Sequence, residues 1–375
     1  MTQRDEMESL DITSILLTGD LGLTRGSDQP GVFDEGLLSE LESADLLCIN
    51  LEFPFTTPET RMAPYTHPSL QSLTEYSTVL TRLNPDVVSI GTNHCMDGGA
   101  EGIRLTREIL STAGIEPVGA GLDETEARKA AVVRVRGRSF SFLTFCKKGN
   151  FTSAGNRPGA ALLSEENLRE DITRAAESSD HVVVLMHMGM EFSRSVHPMY
   201  RELAHLAVDL GASCVVGHHP HVIQGTEEYR GVPIFYSLGN FLFDNCAGAV
   251  TCRALWEERH QGLLAKITFQ SGCTSSEAIP VMSSSEPLAV RLAEGIERNT
   301  ILEEVVILSQ AIQEGTDQGA AEEEAFSAIA KREIETIRVL TKIHGIRFIW
   351  YFLKDLKIRH FRMLFRAGWN RIRGR

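Results

Sequence analysis

The sequence predicts an α/β fold built on mixed β-sheets, with a helical extension at its C-terminal end. Over the first two-thirds of the 375-residue chain, short β-type runs alternate with segments of helical spacing, which is typical of sheets flanked by helices. Two pairs of runs meet at Gly-containing turns, which indicates hairpins within those sheets. From about residue 286 the apolar residues recur at helical spacing only.

The predicted strands are short apolar runs with many β-branched residues. In chain order they are 14–20, 45–52, 86–94, 130–137, 140–145, 181–189, 214–219 and 232–241. The predicted helices between them are 36–44, 98–113, 164–178 and 198–210. One predicted hairpin turns at "RGRS" and the other at Arg230-Gly231. Strands joined through helices are expected to be parallel, so both sheets are expected to be mixed.

The composition is that of a globular protein and argues against several functional classes. A formal net charge of −13 is unsuited to a general nucleic-acid binder, and we expect no nucleic-acid partner. The seven cysteines are scattered without a CxxC pair, which indicates reduced thiols in a reducing compartment. The first residues do not resemble a signal peptide, and no run approaches the roughly 20 apolar residues of a membrane span. We therefore expect a cytoplasmic protein.

The chain is divided into three predicted regions. Residues 1–11 are expected to be disordered, 12–285 to form the main domain, and 286–375 to form the helical extension. The last part of the extension, 341–375, holds ten Lys/Arg and one acid around apolar residues at helical spacing. A basic amphipathic helix of this kind predicts peripheral contact with the inner face of the membrane. An equally supported alternative is a helix that packs its apolar face on the acidic body.

Polar side chains follow several predicted strands at the point where each strand ends. They are Asp20, Glu52, His94, His187 and His219. Ligand sites in open α/β sheets form at the carboxyl ends of the strands. Because chance would scatter such groups along the elements, their repeated position predicts one site at this edge.

The stretch "GHHPH" adds a cluster of histidines at His218, His219 and His221. Residues two apart in an extended segment point to the same side, so His219 and His221 can present two imidazoles to one locus. His218 is expected to point the other way, behind the ligands or at the rim. Neutral imidazole is the commonest nitrogen ligand of metals, and the alternative is a polar loop with local hydrogen bonds.

Two further stretches, "GTNHCMDGG" and "HMGME", supply candidate ligands and proton-transfer groups. Asn93 can ligate through its carbonyl oxygen, His94 can serve as an acid or base, and Asp97 can orient that histidine. Ordinary turn chemistry is the alternative for the first stretch, and a satisfied core histidine for His187 in the second. Mixed nitrogen and oxygen ligands suit Zn, Mn, Fe or Ni better than Ca.

The order of these motifs resembles the CapA/PgsA family of poly-γ-glutamate capsule-biosynthesis proteins, which have a calcineurin-like metallophosphoesterase fold. The matching stretches are "GDLGLTRG" (19–26), "NLEFP" (50–54), "GTNHCMDGG" (91–99), "HMGME" (187–191), "GHHPHVIQG" (217–225) and "IFYSLGNFLFD" (234–244). The resemblance runs from about 12 to 270. It implies an αββα sandwich of two mixed sheets flanked by helices.

The resemblance also implies a centre of one or two divalent metal ions, with Mn, Zn or Fe favoured. The implied ligands are Asp20 and His221 for one metal, Asn93, His187 and His219 for the other, and Glu52 between them. The implied catalytic residues are His94 as general acid, Asp97 beside it, and Arg25 to hold an anionic substrate. The residues expected around the ligands or the substrate are Asn50, Glu191, His218, Ser237 and Asn240.

At two ligand positions the chain departs from the wider metallophosphoesterase pattern. Gly22 stands where that pattern has a histidine, and Glu52 replaces its bridging aspartate. One functional hypothesis is a hydrolase that uses a metal-activated water on a phosphoester, amide or ester bond of a small or polymeric anionic substrate. The other is a non-catalytic accessory subunit that binds a metal or a polyanion beside a membrane-associated polymer synthase.

Overall fold

A computed structural model describes residues 12–59, 70–243 and 260–316, apart from 271, 272 and 286, together with residues 320, 323, 324 and 327. Two mixed β-sheets pack face to face, and helices cover their outer faces. The αββα sandwich expected of a metallophosphoesterase-like fold is thereby confirmed. The predictions for 1–11 and for the tail 341–375, including its membrane contact, lie outside the described residues.

The elements of this part of the chain are numbered in chain order. The strands are β1 (Thr13–Gly22), β2 (Leu46–Leu51), β3 (Phe55–Thr56), β4 (Ser72–Leu73), β5 (Val87–Ser89), β6 (Glu116–Val118), β7 (Ala120–Gly121), β8 (Ala131–Val135), β9 (Arg138–Cys146), β10 (Gly159–Ala160), β11 (His181–His187), β12 (Cys214–His218), β13 (Thr226–Tyr229), β14 (Val232–Phe235), β15 (Asn240–Phe243), β16 (Gln261–Gln270), β17 (Cys273–Ser285) and β18 (Leu288–Leu292). The α-helices are α1 (Glu35–Glu42), α2 (Thr78–Leu83), α3 (Gly99–Thr112), α4 (Glu124–Ala127), α5 (Glu165–Ser178), α6 (Pro198–Asp209) and α7 (Gly295–Glu314), and a 3₁₀ turn, Thr74–Ser77, precedes α2.

The first sheet has the strand order β18–β17–β16–β1–β2–β5–β6, and β15 also pairs with β1. The strands β1, β2, β5, β6 and β15 are parallel, whereas β16, β17 and β18 are antiparallel additions. The second sheet has the order β13–β14–β12–β11–β9–β8. Its four inner strands are parallel, so the carboxyl ends of β9, β11, β12 and β14 face the same way.

Both predicted hairpins are present, as β8–β9 and β13–β14. The turn residues Arg136 and Gly137 have φ of 50° and 76°, and Arg230 and Gly231 have φ of 53° and 79°. Two consecutive left-handed residues suit the right-handed twist of the paired strands. The outer strands of the two hairpins, β8 and β13, are the edge strands of the second sheet.

The apolar core has three layers, which follow from alternation of side chains along the strands. Ile15 and Leu17 of β1 pack between the two sheets, whereas Leu16 faces the helices that cover the first sheet. On the outer face of the second sheet, Val184 of β11 packs with Ile172 of α5. Because both faces of each inner strand are covered, these strands are continuous apolar runs.

Three neighbouring strands of the first sheet, β16, β17 and β18, differ from the sequence prediction. The predicted strands do not include β16 and β17, which pair with each other from Gln261 to Gln270. Both ends of β17 are rich in Ser and Thr, so its strand conformation depends on that pairing. Residues 288–292, predicted to be helical, form the edge strand β18, and helix α7 begins only at Gly295. A five-residue apolar segment is too short to reveal its period, so pairing with β17 decides its conformation. The sheet therefore continues beyond residue 285, and the domain boundary there stays a prediction.

None of the helices in the described ranges is long and apolar enough to cross a membrane.

Candidate metal centre

The ends of β1, β2, β11 and β12 bring buried ionisable side chains together at one edge of the sandwich. Asp20, Glu52, His187 and His219 are completely buried, and His221 is 6 % exposed. Potential ligand atoms of Asp20, Glu52 and His187 lie within 4.8 Å of one another, and so do those of Glu52, His219 and His221. Glu52 belongs to both groups and therefore lies at the middle of the cluster.

Asp20 is held in place by hydrogen bonds from both sheets. Its Oδ1 accepts from Asn50 Nδ2 at 2.8 Å, and its Oδ2 accepts from the backbone N–H of His219 at 3.2 Å. His221 Nδ1 lies 3.3 Å from the same Oδ2. Burial alone would raise the pKa of Asp20, but the hydrogen bond and charge of His221 outweigh it and lower the pKa to about 2. Asp20 is therefore an anionic group at this edge.

Glu52 has two buried carboxylate oxygens that accept no hydrogen bond from the part of the chain that the structure describes. Its Oε1 lies 3.5 Å from His187 Nε2. A buried carboxylate without donors is costly, and native proteins pair such groups or use them as metal ligands. The Nδ1 atoms of His187 and His219 are also buried without a hydrogen-bond partner among those residues. This donor set fits a divalent metal ion.

Asn93 lies in the turn after β5 and contacts His187 directly. Its Oδ1 accepts a hydrogen bond from His187 Nε2 at 2.7 Å. Nε2 is the protonated nitrogen in this hydrogen bond, and Nδ1 is buried without a hydrogen-bond partner among the described residues. Asn93 thus orients His187 in this arrangement.

The loop 218–221 has a different conformation from the one predicted. His219 and His221 have φ of 100° and 59°, so the segment is not extended and its imidazoles converge through left-handed backbone. Such conformations cost about 1–3 kcal/mol at a residue other than glycine and are found at functional sites. His218 is 1 % exposed, and its Nε2 donates to the Thr18 carbonyl at 2.9 Å. This hydrogen bond joins the end of β12 to β1. His218 therefore lies behind the ligands and not at the rim of the site.

His94 is the most accessible imidazole of the predicted set, with a side chain that is 21 % exposed. Its Nδ1 donates to Asp97 Oδ2 at 2.8 Å, and the same oxygen accepts from the Leu70 N–H at 2.8 Å. Burial opposes the charged form, but the Asp97 hydrogen bond and the charges of Glu52, Asp97 and Glu191 raise the pKa of His94 above its usual value. Nε2 is therefore the nitrogen that remains for a substrate.

The other predicted residues fall into two groups. Asn240 Oδ1 accepts from His221 Nδ1 at 3.0 Å, and Ser89 Oγ donates to Asn50 Oδ1 at 2.9 Å, so both asparagines position ligands. Ser237 Oγ donates to the Val222 carbonyl at 2.8 Å and supports the histidine loop. Arg25, by contrast, is exposed in the turn after β1, and no contact within the described ranges brings its guanidinium to the cluster.

Comparison with known proteins identifies the family to which the chain belongs. Residues 14–245 match the family model described as "Bacterial capsule synthesis protein PGA_cap". The chain belongs to this PGA_cap family. It is 34 % identical over 206 residues to the "PGA biosynthesis protein CapA" of Bacillus subtilis, which covers 54 % of each chain.

Two further relatives match over shorter stretches. The "Capsule biosynthesis protein CapA" of Bacillus anthracis is 34 % identical over 164 residues, which covers 42 % of this chain and 40 % of the relative. A "Probable polyglutamine synthesis accessory protein" of Mycobacterium tuberculosis is 31 % identical over 178 residues, with coverage of 44 % and 47 %. The chain spans about half the length of the curated relatives it matches.

Lys147 of this PGA_cap chain lies at the cluster, although the sequence prediction does not include it. Its Nζ is 2.5 Å from His219 Nε2. Burial lowers the pKa of Lys147, and the charges of Glu191 and Glu52 partly offset that effect. Lys147 follows β9, which is the parallel neighbour of β11, so the rule that found His187 at a strand end applies equally to Lys147.

Two aromatic rings fill the space beside Gly22. A side chain at Gly22 would begin 2.6 Å from Phe53 Cε2 and 3.3 Å from Phe243 Cδ2. The Phe243 ring also packs against His221, with centroids 4.6 Å apart. Aromatic side chains therefore line the Asp20 side of the centre in this member of the PGA_cap family.

Proposed function

We propose that the chain is a metal-dependent hydrolase whose centre is built around Glu52. The observation that carries the proposal is the fully buried Glu52 carboxylate, which lacks hydrogen-bond donors from the described residues and lies among buried imidazoles. A cation bound there would satisfy both oxygens. Asp20, Glu52, His187, His219 and His221 are the proposed ligands, and the metal is Mn, Zn or Fe.

The residues around the ligands have separate proposed roles. A bound divalent metal lowers the pKa of water and neutralises charge on a phosphoester, ester or amide. Asn50 and Asn240 orient Asp20 and His221 through the hydrogen bonds they make. His94, with Nδ1 fixed by Asp97, presents Nε2 at the mouth of the site and protonates the leaving group.

The names of the relatives support an anionic polymer or one of its precursors as the substrate. The Bacillus subtilis relative is named for PGA biosynthesis and the Bacillus anthracis relative for capsule biosynthesis. We propose that the chain acts on a phosphoester, ester or amide bond in the synthesis or processing of such a polymer.

A second candidate is a non-catalytic accessory subunit of a membrane-associated polymer synthase. Two observations favour it: the Mycobacterium tuberculosis relative is named an accessory protein, and Phe53 lies where a further metal-ligating histidine would begin. In this proposal the centre binds metal or a polyanion, and residues 341–375 contact the inner face of the membrane.

Metal analysis combined with an activity screen tests both proposals. Metal-free protein is titrated with Mn²⁺ and Zn²⁺, and the loaded protein is assayed on p-nitrophenyl phosphate, p-nitrophenyl acetate and a γ-glutamyl anilide. We expect wild type to bind metal and hydrolyse at least one substrate, with more than about a 100-fold loss in His187→Ala and His221→Ala. His197→Asn is the control, because asparagine preserves the N-cap of α6 that His197 provides.

The possible results separate the two candidates. Equal metal content and equal activity in wild type, His187→Ala and His221→Ala would reject the hydrolase. Tight metal binding that depends on both histidines, with no turnover of any of the three substrate classes, would favour the accessory subunit.

A further inference from the structure

We infer that Lys147 competes with the metal ion for His219 and, once displaced, contacts the anionic group of the substrate. The inference rests on the metal-binding part of the proposed function. Its central observation is the 2.5 Å contact between Lys147 Nζ and His219 Nε2. This places a cationic side chain on a nitrogen of a proposed ligand.

The chemistry of the two side chains makes lysine binding and metal binding mutually exclusive. A lysine ammonium has three donors and no acceptor, so it can only donate to His219 Nε2. A neutral ring that accepts at Nε2 has its proton on Nδ1. Neither nitrogen then has a lone pair for a metal.

The fold keeps Lys147 at this position by its backbone. The Lys147 N–H donates to the His187 carbonyl at 3.0 Å, where β9 and β11 end side by side. The side chain is half-buried, and the negative charges of Glu191 and Glu52 act on it. The next residue, Lys148, is exposed. Lys147 is therefore directed to the centre, and the adjacent Lys148 lies in solvent.

Metal loading has two consequences for Lys147. The ammonium must leave His219, so part of the binding free energy of the metal is spent on breaking a charge-assisted hydrogen bond. Because its backbone stays bonded to His187, the displaced ammonium remains at the same edge of the sheet. It can then neutralise a phosphate or carboxylate of the substrate.

Metal affinity of the Lys147→Met variant tests the competition, with Lys148→Met as the matched control. Metal-free full-length proteins are titrated calorimetrically with Zn²⁺ and with Mn²⁺. Loss of one charge-assisted hydrogen bond predicts that Lys147→Met binds about 10- to 100-fold more tightly than wild type, and Lys148→Met within about twofold. Unchanged or weaker binding by a folded Lys147→Met would overturn the competition while leaving the metal centre intact. If wild type and both variants all fail to bind metal, the proposed function falls together with this inference.

The tautomer of His219 tests the inference in wild type, without any substitution at Lys147. Long-range ¹⁵N–¹H spectra of metal-free protein with labelled histidine, assigned with His219→Gln, should show the His219 proton on Nδ1. A proton on Nε2 would contradict the ammonium contact.

Inorganic phosphate serves as the probe for the anion contact. The dissociation constant of phosphate from zinc-loaded protein should rise about tenfold in Lys147→Met and stay within about twofold in Lys148→Met. Equal constants in wild type and Lys147→Met would remove the substrate contact from the inference.

Discussion

Two glutamates, the buried Glu52 and the partly buried Glu227, have the same chemistry and opposite surroundings. The Glu227 side chain is 8 % exposed and accepts from Arg201 at 2.7 Å, His205 at 2.9 Å and Tyr236 at 2.6 Å. Burial raises its pKa, but the hydrogen bonds from Arg201, Tyr236 and His205 prevail and lower the pKa to about 2. Glu52 is completely buried and receives no hydrogen bond from the described part of the chain.

The difference separates a structural carboxylate from one that is prepared for a ligand. Two donors to Glu227, Arg201 and His205, lie on α6, and the third, Tyr236, directly follows β14. The carboxylate therefore connects the second sheet to a helix. The acceptors of Glu52 remain unused, which is unfavourable for the unliganded protein and favourable for a bound cation. A fold that leaves one of its buried carboxylates unsatisfied gives up stability for binding.

The largest effect is expected when Glu52 is replaced by glutamine. Glu52→Gln removes the charge shared by both groups of ligand atoms, so affinity for Zn²⁺ or Mn²⁺ should fall by more than about 100-fold. The metal-free protein should be as stable as wild type or more stable, because the substitution removes an unpaired buried charge. Calorimetric titration and thermal unfolding of the metal-free proteins measure the two changes. A marked loss of stability without loss of metal affinity would show that Glu52 is structural after all.

Replacement of Glu227 by glutamine should have the reverse pattern. Glu227→Gln should lower the free energy of unfolding by about 2 kcal/mol at pH 7, because hydrogen bonds to a charged group are lost, and should leave metal affinity unchanged. Urea unfolding measures the change. The exposed Glu228, changed to glutamine, is the control.

The difference in unfolding free energy between wild type and Glu227→Gln should decrease at low pH. The folded pKa of Glu227, about 2, lies below the ordinary value of 4.5. The stabilisation is therefore complete above about pH 4.5 and is lost as the pH falls towards 2. The gap between wild type and Glu227→Gln should shrink over that interval. A gap that stays constant from pH 7 to pH 2.5 would show that the carboxylate charge is not the source of the stability.

The sandwich and the edge that carries the cluster could be predicted because they follow from local patterns. Apolar runs and helical periods indicate strands and helices, and Asp20, Glu52, His187 and His219 stand at strand ends. The contrast between Glu52 and Glu227 could not be predicted, since it depends on which distant side chains reach each carboxylate. Hydrogen-bond partners 22 or 26 residues away, as for Glu227, leave no local pattern.

The conformation of the histidine loop and the position of Lys147 could not be predicted either, because both depend on tertiary contacts. The left-handed φ of His219 arises from tertiary packing, so the assumption of an extended loop was wrong even though the imidazoles converge. Lys147 stands at a strand end like the other candidates. However, lysine is usually exposed, as the adjacent Lys148 is, and sequence alone does not distinguish the two.

A third carboxylate, Glu324, gives the smallest expected effect and extends the comparison to the region beyond α7. Its oxygens accept from Ser193 Oγ at 2.9 Å, from the N–H groups of Arg194 and Ser195 at 3.0 Å each, and from Ser195 Oγ at 2.8 Å. Like Glu227 it is satisfied by the protein, but its donors belong to the loop that follows His187 and Glu191. It is therefore expected to order that loop without binding metal.

Glu324→Gln should lower the free energy of unfolding by about 1 kcal/mol and speed hydrogen exchange of the Arg194 and Ser195 amides about fivefold. The exposed neighbour Glu323, changed to glutamine, is the control. Phe192 lies in the same loop and packs near His221, with ring centroids 6.3 Å apart, so metal affinity should fall by less than about threefold. Unchanged exchange at both amides would show that the loop is ordered without Glu324. A loss of metal affinity as large as that of Glu52→Gln would instead make this distant carboxylate part of the centre, and the distinction between satisfied and unsatisfied glutamates would fail.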